Sequence, residues 1–381
     1  MKTTAPLSRR ALLRAGGGAA LLLMVDGCGY YAEGSGEAYA PWKFPDGETR
    51  PEWLAVRAAL LAASPHNTQP WLFSVSPQAV DVFAALERNL GPMDSLRREL
   101  HIGLGCAVEN LVRAARANGR EATVAWMPEP ADATHVARVT LQPAAPRQDP
   151  LYDALARRHT HRGVYVNGPL PAGVEQQLQV LVDEPDVRLF LLTSSGDMER
   201  FRTETVRATR AIVEDTEMHD AGDAWVRYFK EELERNRDGA TIDATGLDWT
   251  TRSASKLLAR PDPKTSGQYW IQGTEARQLT GSAFGILATR ERNDRIQQMR
   301  GGRVYQRLHL YATSVGLSMQ PLCQLPERQD REEQLGLASD FGHVLGELTG
   351  PGWGVQMAFR MGVSWDEPLL SPRRPLEWVT R

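Results

Sequence analysis

The chain lacks the signatures of several common protein classes. Its three cysteines, Cys28, Cys106 and Cys323, are not spaced as a zinc site or as a disulfide framework. No Gly-x-Ser-x-Gly motif of a serine hydrolase occurs in the sequence. Residues 103–105 (GLG) precede a predicted helix, but Val108 stands where a dinucleotide-binding fingerprint needs its third glycine. The sequence therefore indicates neither metal, nor serine-nucleophile, nor Rossmann chemistry.

An excess of positive charge is also missing. The net charge is -3, and removal of the +3 carried by the first 27 residues leaves -6. This acidic balance argues against a nucleic-acid partner. Hydrophobic residues make up 42% and charged residues 24% of the chain, as in ordinary globular proteins. The length of 381 residues is enough for two domains or for one large fused domain.

The apolar run near the N-terminus is too short for a permanent membrane-spanning helix. Residues 8–14 (SRRALLR) precede the apolar residues 19–25 (AALLLMV), which is the pattern of a twin-arginine export signal. Cys28 ends the tetrapeptide VDGC, which resembles a lipoprotein cleavage box, although Asp26 departs from the small or apolar residue usual there. We therefore expect a signal over residues 1–27, export of the folded protein to the periplasm or cell envelope, and lipidation at Cys28.

A turn rich in amide side chains follows the first predicted helix. Residues 54–63 (LAVRAALLAA) are strong helix formers, and Pro65 ends the helix because proline lacks the amide proton. The loop at residues 64–71 (SPHNTQPW) presents Asn67 and Gln69, whose amides match the donor and acceptor edge of a ring. The alternative is a helix-loop-strand corner in which these amides only cap backbone groups.

A second polar cluster follows a short amphipathic helix predicted at residues 151–155. Arg158, Thr160 and Arg162 occupy alternate positions. A guanidinium group can grip a phosphate through two hydrogen bonds, and a threonine hydroxyl adds a third donor. The pattern predicts a phosphate clamp, and the alternative is a solvated basic turn.

Two helical segments 197 residues apart predict an internal repeat. Aligning Gly105 with Gly302 superposes Leu111 on Leu308, and a glycine follows each segment. The apolar stripes of the two segments are Val108, Leu111, Val112 and Ala115 in the first, and Val304, Leu308, Tyr311 and Val315 in the second. Such a repeat is expected when one chain folds as a pseudo-dimer of two fused halves. Two unrelated core helices are the alternative.

Both polar motifs resemble those of the nitroreductase superfamily. Its members carry an Arg-x-Ser/Thr-x-Arg phosphate clamp and a Ser-x-x-Asn-x-Gln-Pro-Trp loop that reaches the flavin from the neighbouring subunit. Here the loop precedes the clamp within one chain. This inverted order, together with residues 87–119 and 302–327, is similar to the Acg-type branch of single-chain, FMN-binding nitroreductase-like proteins. The resemblance covers residues 53–381.

The resemblance implies a fold and a set of site residues. The expected fold is α+β and nitroreductase-like, with two fused repeats in an intramolecular pseudo-dimer, so that a monomer holds one FMN. The implied cofactor-binding residues are Ser64, Pro65, Asn67, Gln69, Arg158, Thr160, Arg162, Arg373 and Arg374. The last two are adjacent and diverge if the chain is extended, and Arg374 is the favoured one. A solvated basic tail is the alternative for this pair.

Composition predicts the domain boundaries. Residues 28–51 are poor in aliphatic side chains and rich in glycine and proline, and they predict a flexible tether. The first half is expected at residues 52–146 and the second at residues 147–381. A charged insertion at about residues 212–268 is interpreted either as a lid over the flavin or as a surface helical excursion.

The implied function is that of an exported FMN-dependent oxidoreductase. In a nitroreductase-like reaction, reduced flavin gives hydride to a small aromatic, nitro or quinone-like acceptor, and the protein grips the phosphate and orients the ring. No side chain has to act as a nucleophile. The sequence assigns neither the small-molecule electron donor nor the acceptor. The alternative is a non-catalytic protein that binds and sequesters FMN.

Overall fold

The structure is a computed structural model that describes Ala32 and residues 34–381. The predicted signal and Cys28 lie outside the described residues. Helices α1 to α12 are, in chain order, Pro51–Leu60, Arg98–Ala117, Pro150–Asp153, Val174–Val180, Ser195–Glu214, Thr216–Asp223, Lys230–Asn236, Trp249–Lys256, Pro263–Gly273, Arg295–Ser314, Gln324–Leu335 and Asp340–Thr349. Strands β1 to β10 are Trp71–Ser76, Ala79–Ala84, Arg120–Trp126, His135–Pro143, Val187–Leu192, Val226–Arg227, Ala240–Thr241, Ala283–Thr289, Ser318–Pro321 and Gly354–Gly362. The predicted mixed α+β class is confirmed.

The first sheet is antiparallel and has the strand order β1-β2-β4-β3. Alternate residues of β1, Trp71 and Phe73, are fully buried, as are Val80 and Val82 of its neighbour β2. Period-two burial of this kind gives a strand one core face. These side chains form one apolar core with residues of α1 and α2, so the sheet packs on those helices.

The second sheet is antiparallel with the strand order β5-β8-β10-β9, and both of its faces are covered. All seven residues of β8 are buried. Its Leu287 joins the core shared with α2 and α10, whereas Ile286 joins a separate core with Phe201 of α5 and Phe341 of α12. A strand buried on both faces reads as a continuous apolar run, as the AFGILAT sequence does.

The two sheets share one connection pattern. In each, two strands are followed by a 20-residue helix and then by two further strands, with the last strand inside the sheet. The central helices α2 and α10 pack directly on each other. An added Cβ at Gly105 would lie 1.9 Å from the carbonyl oxygen of Met299, and one at Gly302 would lie 2.1 Å from that of Ile102. The glycines that the sequence aligned are therefore the points where the two helix backbones meet.

The structure buries some but not all residues of the two predicted apolar stripes. Val108, Leu111, Val304 and Leu308 are fully buried. Val315, however, is 46% exposed, because it lies after the last residue of α10 and leaves the helix interface.

The predicted tether differs from the structure. Residues Glu37–Lys43 form a 3-10 helix, in which Ala38, Tyr39 and Trp42 are buried. They pack in a small apolar core with Leu61 of the first half and Leu233 of the insertion. The prediction relied on the shortage of aliphatic residues, but two aromatic side chains provide enough apolar surface to dock the segment.

The C-terminal residues, which belong to the predicted second half, pair with a strand of the first half. Phe73 in β1 donates a backbone hydrogen bond to the carbonyl of Val379 at 2.7 Å, and the amide of Arg381 donates to Phe73 at 2.9 Å. The C-terminal residues thus extend the edge of the first sheet.

The insertion at residues 212–268 contains the end of α5, the helices α6 to α8, most of α9 and the parallel β6-β7 pair.

Across residues 34–381, no helix has both the length and the apolar character needed to cross a membrane. The same part of the chain shows no cluster of histidine, cysteine and carboxylate side chains suited to a metal ion.

Candidate functional site

The loop at residues 64–71 has an unusual backbone. His66, Asn67 and Gln69 have φ angles of 43°, 56° and 52°, which lie in the left-handed region that non-glycine residues seldom adopt. The hydroxyl of Ser64 accepts a hydrogen bond from the Gln69 amide at 3.1 Å and closes the loop. Left-handed residues cost free energy unless their surroundings hold them, and they concentrate at functional sites.

The amide of Asn67 joins three segments of the chain. Its nitrogen donates to the carbonyls of Gly239 at 3.2 Å and Pro372 at 2.9 Å, and its oxygen accepts from Arg373 at 2.6 Å. Gln69 acts in a similar way and contacts Arg237 in the insertion and the backbone of the C-terminal segment. These partners fix the loop in place, whereas the sequence interpretation set both amides against a ring.

Arg158 is a buried cation. Only 2% of the residue is exposed, and its guanidinium donates to the carbonyl of Leu61 at 3.0 Å and to Nδ1 of His309 at 3.4 Å. Its Nε has no hydrogen-bond partner, and no carboxylate of residues 34–381 forms an ion pair with it. Burial lowers the pKa of Arg158, because the charged form has lost its water.

Arg373 lies beside Arg158 and is equally buried. It donates to Asn67, to the Ser371 hydroxyl at 2.7 Å and to the Pro372 carbonyl at 2.9 Å, but its Nε is unsatisfied. Burial, and after it the charge of Arg158, lowers the pKa of Arg373 well below its ordinary value. Two buried cations therefore lie within electrostatic range of each other and have no carboxylate partner in the described part of the chain.

Arg374 points elsewhere. It donates to the carbonyls of Gln69 at 3.2 Å and Trp378 at 2.9 Å. Burial, followed by the charge of Arg88, lowers its pKa to about 10. The structure thus places Arg373 within electrostatic range of Arg158, whereas Arg374, which the sequence analysis favoured, contacts the loop at residues 64–71 and Trp378. Adjacent side chains diverge along this extended segment as expected, but the sequence did not show which one faces inward.

Arg162 contributes a third cation. Its only hydrogen bond among the described residues is a long one, 3.4 Å, to the carbonyl of Ala244 in the insertion. Burial lowers the pKa of Arg162, as it does for Arg158, and both guanidinium groups lie within electrostatic range of Tyr305. Thr160 lies half-buried between the two arginines in sequence. The structure therefore brings both clamp arginines to the neighbourhood of Tyr305.

Sequence reasoning missed four aromatic or imidazole side chains at this site. Tyr305 and His309 lie one turn apart on α10, and the Tyr305 hydroxyl and Nδ1 of His309 form a hydrogen bond of 3.4 Å. His159 lies against Trp42, with ring centroids 4.2 Å apart. Burial lowers the pKa of His159 to about 3, so the ring is neutral and adds no charge near Arg158. The spacing of Tyr305 and His309 on a predicted core helix was the available signal.

The insertion packs on the loop and on Arg162. Gly239 donates its amide to Asn67 at 3.2 Å, and an added Cβ at Gly246 would lie 2.1 Å from the Arg162 carbonyl oxygen. Asp238 forms ion pairs with Arg88 of the first half and with Arg227 of the insertion. The insertion therefore packs against both the loop at residues 64–71 and Arg162.

The arrangement is suited to an anion of high charge. Arg158 and Arg162 of the clamp and Arg373 of the C-terminal segment present guanidinium donors from two separate segments, and the surroundings supply neutral imidazoles and backbone carbonyls in place of carboxylates. Unpaired buried cations are costly, so their presence points to a ligand that neutralises them. A phosphate matches the fork geometry of arginine.

No family model matches the chain. It is 27% identical over 353 residues to the Mycobacterium tuberculosis protein "Putative NAD(P)H nitroreductase Rv3131", covering 91% of this chain and 95% of that protein. It is 26% identical over 336 residues to "Putative NAD(P)H nitroreductase acg" of the same organism, covering 85% and 93%. The crystal structure of the FMN-dependent nitroreductase NfnB from Mycobacterium smegmatis in complex with NADPH aligns at 16% identity with a TM-score of 0.37, covering 61% of this chain and 98% of that one.

Proposed function

We propose that this chain, a relative of the Acg-type nitroreductase-like proteins as its motifs predicted, is an FMN-dependent oxidoreductase of nitroreductase type. The observation that carries the proposal is the pair of buried guanidinium groups, Arg158 and Arg373, which have no carboxylate partner in the described part. The 5′-phosphate of FMN would supply the missing negative charge. When bound, the flavin supplies hydride transfer to and from small molecules.

The residues of the site fit such a cofactor. Arg158, Arg162 and Arg373 would hold the phosphate, with the Thr160 hydroxyl as a further donor. Ser64 and Pro65 shape the loop at residues 64–71, and Gln69 and Asn67 clamp it between the insertion and the C-terminal segment. The chain itself would orient the ring and keep water from it, and none of these side chains has to form a covalent intermediate.

We further propose that the two halves, at residues 52–146 and 147–381, are fused copies of one ancestral fold, with a single cofactor site. At the site, Gly103 of α2 faces Ser64 and Pro65. The residue 197 positions later, Arg300 of α10, instead forms ion pairs with Asp186 at 2.5 Å and Glu184 at 3.7 Å. Arg300, at the position that corresponds to Gly103, is therefore neutralised by ion pairs, unlike Arg158 and Arg373.

The electron donor and acceptor are small molecules. The names of the curated relatives give NAD(P)H as the donor, and NADPH is therefore the reductant to test first. We propose nitroaromatic and quinone-like compounds as acceptors, because a planar ring can lie on the flavin. The net charge of -3 argues against a nucleic-acid partner.

The proposal predicts one FMN released per chain. The purified protein should be yellow, and denaturation should release FMN in a ratio of about one, because the clamp motif occurs once and the position that corresponds to Gly103 holds the ion-paired Arg300. Absorbance of the released flavin against protein concentration measures the ratio. A colourless protein that also fails to bind added FMN would contradict the proposal.

A flavin store is the second candidate function, and one observation favours it. Two hydrogen bonds between Gly239 and Asn67 connect the insertion to the loop. Asp238 of the insertion also forms ion pairs with Arg88 of the first half and with Arg227. If the protein is an enzyme, the FMN-loaded protein reduced anaerobically should be reoxidised rapidly by quinones or nitroaromatics. Slow reoxidation by every acceptor, made fast by trimming residues 212–268, would identify a store instead.

We also propose that the protein is exported folded and anchored through Cys28. The twin arginines and the VDGC tetrapeptide support this. Replacement of Arg9 and Arg10 by lysine should leave the protein in the cytoplasm, and Cys28→Ser should release it in soluble form. Cell fractionation measures both outcomes, and normal export of the double-lysine variant would contradict the twin-arginine assignment.

A further inference from the structure

The segment Glu37–Lys43 is part of the wall around the buried cations. It is the first helical segment of the described chain, and it packs against the C-terminal residues rather than extending away from the fold. The amide of Arg373 donates to the carbonyl of Ala38 at 2.7 Å. The backbone of Arg373 is therefore hydrogen-bonded directly to this segment.

Trp42 makes three contacts at the site. Its indole nitrogen donates to the carbonyl of Ser371 at 2.8 Å. Its ring lies 4.6 Å from the Arg373 guanidinium, within the range of a cation–π interaction, and 4.2 Å from the ring of His159. The tryptophan therefore contacts Arg373 and also His159 of the clamp at residues 158–162.

We propose that Trp42 is a positioning residue for Arg373, and that anion binding at Arg158 and Arg373 is coupled to the docking of residues 37–43. The inference rests on the proposed FMN site, because the FMN phosphate is the anion in question. Without an anion, the two guanidinium groups repel each other across the site that Trp42 helps to close. An anion that binds only when Arg373 is in place must, by linkage, favour the docked segment to the same extent.

The first test is the affinity for FMN, measured by the quenching of FMN fluorescence. Trp42→Ala should weaken FMN binding about tenfold or more, because a desolvated cation–π contact and the packing on Arg373 are both lost. Trp42→Phe keeps a ring but loses the indole donor, and it should restore most of the affinity. Trp53→Ala is the matched control, since Trp53 stacks with Arg50 in α1, outside the site, and this variant should bind FMN as the wild type does.

The second test is trypsin cleavage after Lys43, which is exposed and follows Trp42 directly. The next arginine, Arg50, precedes Pro51, a bond that trypsin cuts poorly, so the new N-terminus at Phe44 reports on this segment alone. FMN added to the full chain should slow this cleavage about fivefold or more, as should millimolar orthophosphate. Riboflavin, which has the same ring without a phosphate, should not slow it.

The outcomes separate this inference from the proposed function. FMN binding with no protection at Lys43, or with unchanged affinity in Trp42→Ala, would overturn the coupling and leave the FMN proposal intact. A wild-type protein that does not bind FMN but is protected by orthophosphate would overturn the FMN proposal and support the coupling. If neither FMN nor orthophosphate protects Lys43, the coupling is wrong.

Discussion

Replacement of Arg158 by alanine is expected to lower the affinity for FMN by about thirtyfold or more. A charge-assisted contact to a phosphate contributes about 2 kcal/mol or more, and Arg158 is the clamp residue with the least exposure to competing water. The measurement is fluorescence titration of FMN at fixed ionic strength. Arg158→Lys should recover only part of the loss, because lysine keeps the charge but not the planar fork.

Arg157→Ala is the matched control for this prediction. Arg157 is the preceding residue and is exposed, so its loss should leave FMN affinity unchanged. Unchanged affinity in both Arg158→Ala and Arg162→Ala would show that the phosphate lies elsewhere, and the pair Arg373 and Arg374 would be tested next.

The sign of the stability change distinguishes a ligand-binding arginine from a structural one. Arg158 has no carboxylate partner among residues 34–381, so its removal should leave the thermal stability of the flavin-free protein unchanged or raise it. Arg98 is buried to the same degree but pairs with Asp330 at 2.8 Å. Arg98→Ala should destabilise the protein by about 3 kcal/mol or more, because it removes a cation from the buried carboxylates of Asp330 and Glu99 and leaves Asp330 with Arg292 as its remaining ion-pair partner.

Local patterns point to the parts of the candidate site that lie within one segment. The proline after an apolar helix places the loop at residues 64–71, and the alternation of Arg158 and Arg162 places the clamp. What the sequence did not show is which distant groups meet them. The contact between Arg158 and His309 joins residues 151 positions apart, and a contact of that span leaves no trace in local composition.

The predicted tether also shows that local composition does not reveal distant contacts. Residues 28–51 have the glycine and proline content of a linker, yet Tyr39 and Trp42 are buried. Composition measures how much apolar surface a segment has, whereas docking depends on whether a complementary surface exists elsewhere. Here Leu61 and Leu233 provide it from two other parts of the chain.

The repeat register was within reach of the sequence because glycine has a specific role at the helix contact. Gly105 and Gly302 are aligned by sequence alone. In the structure, each of them lies against the backbone of the other helix. Around them, polar pairs cross the interface: His101 with Gln298 at 2.9 Å and Gln306 with Asn110 at 2.8 Å. The close backbone approach is what permits these short side chains to reach each other.

Gly105→Ala and Gly302→Ala are each expected to lower the free energy of unfolding by about 3 kcal/mol or more. The added methyl would lie 1.9 Å from the Met299 oxygen in the first case and 2.1 Å from the Ile102 oxygen in the second, and backbone atoms cannot move aside without separating the helices. Urea unfolding followed by circular dichroism measures the change.

Gly346→Ala is the control for this last prediction. Gly346 lies inside α12, and an added Cβ there has no atom within 4 Å. Alanine is the better helix former, so this variant should gain about 0.5–1 kcal/mol. The opposite signs separate the clash at the helix crossing from the general effect of alanine in a helix. Wild-type stability in both Gly105→Ala and Gly302→Ala would mean that α2 and α10 do not meet at these glycines, and the single-site argument built on their 197-residue register would fail with it.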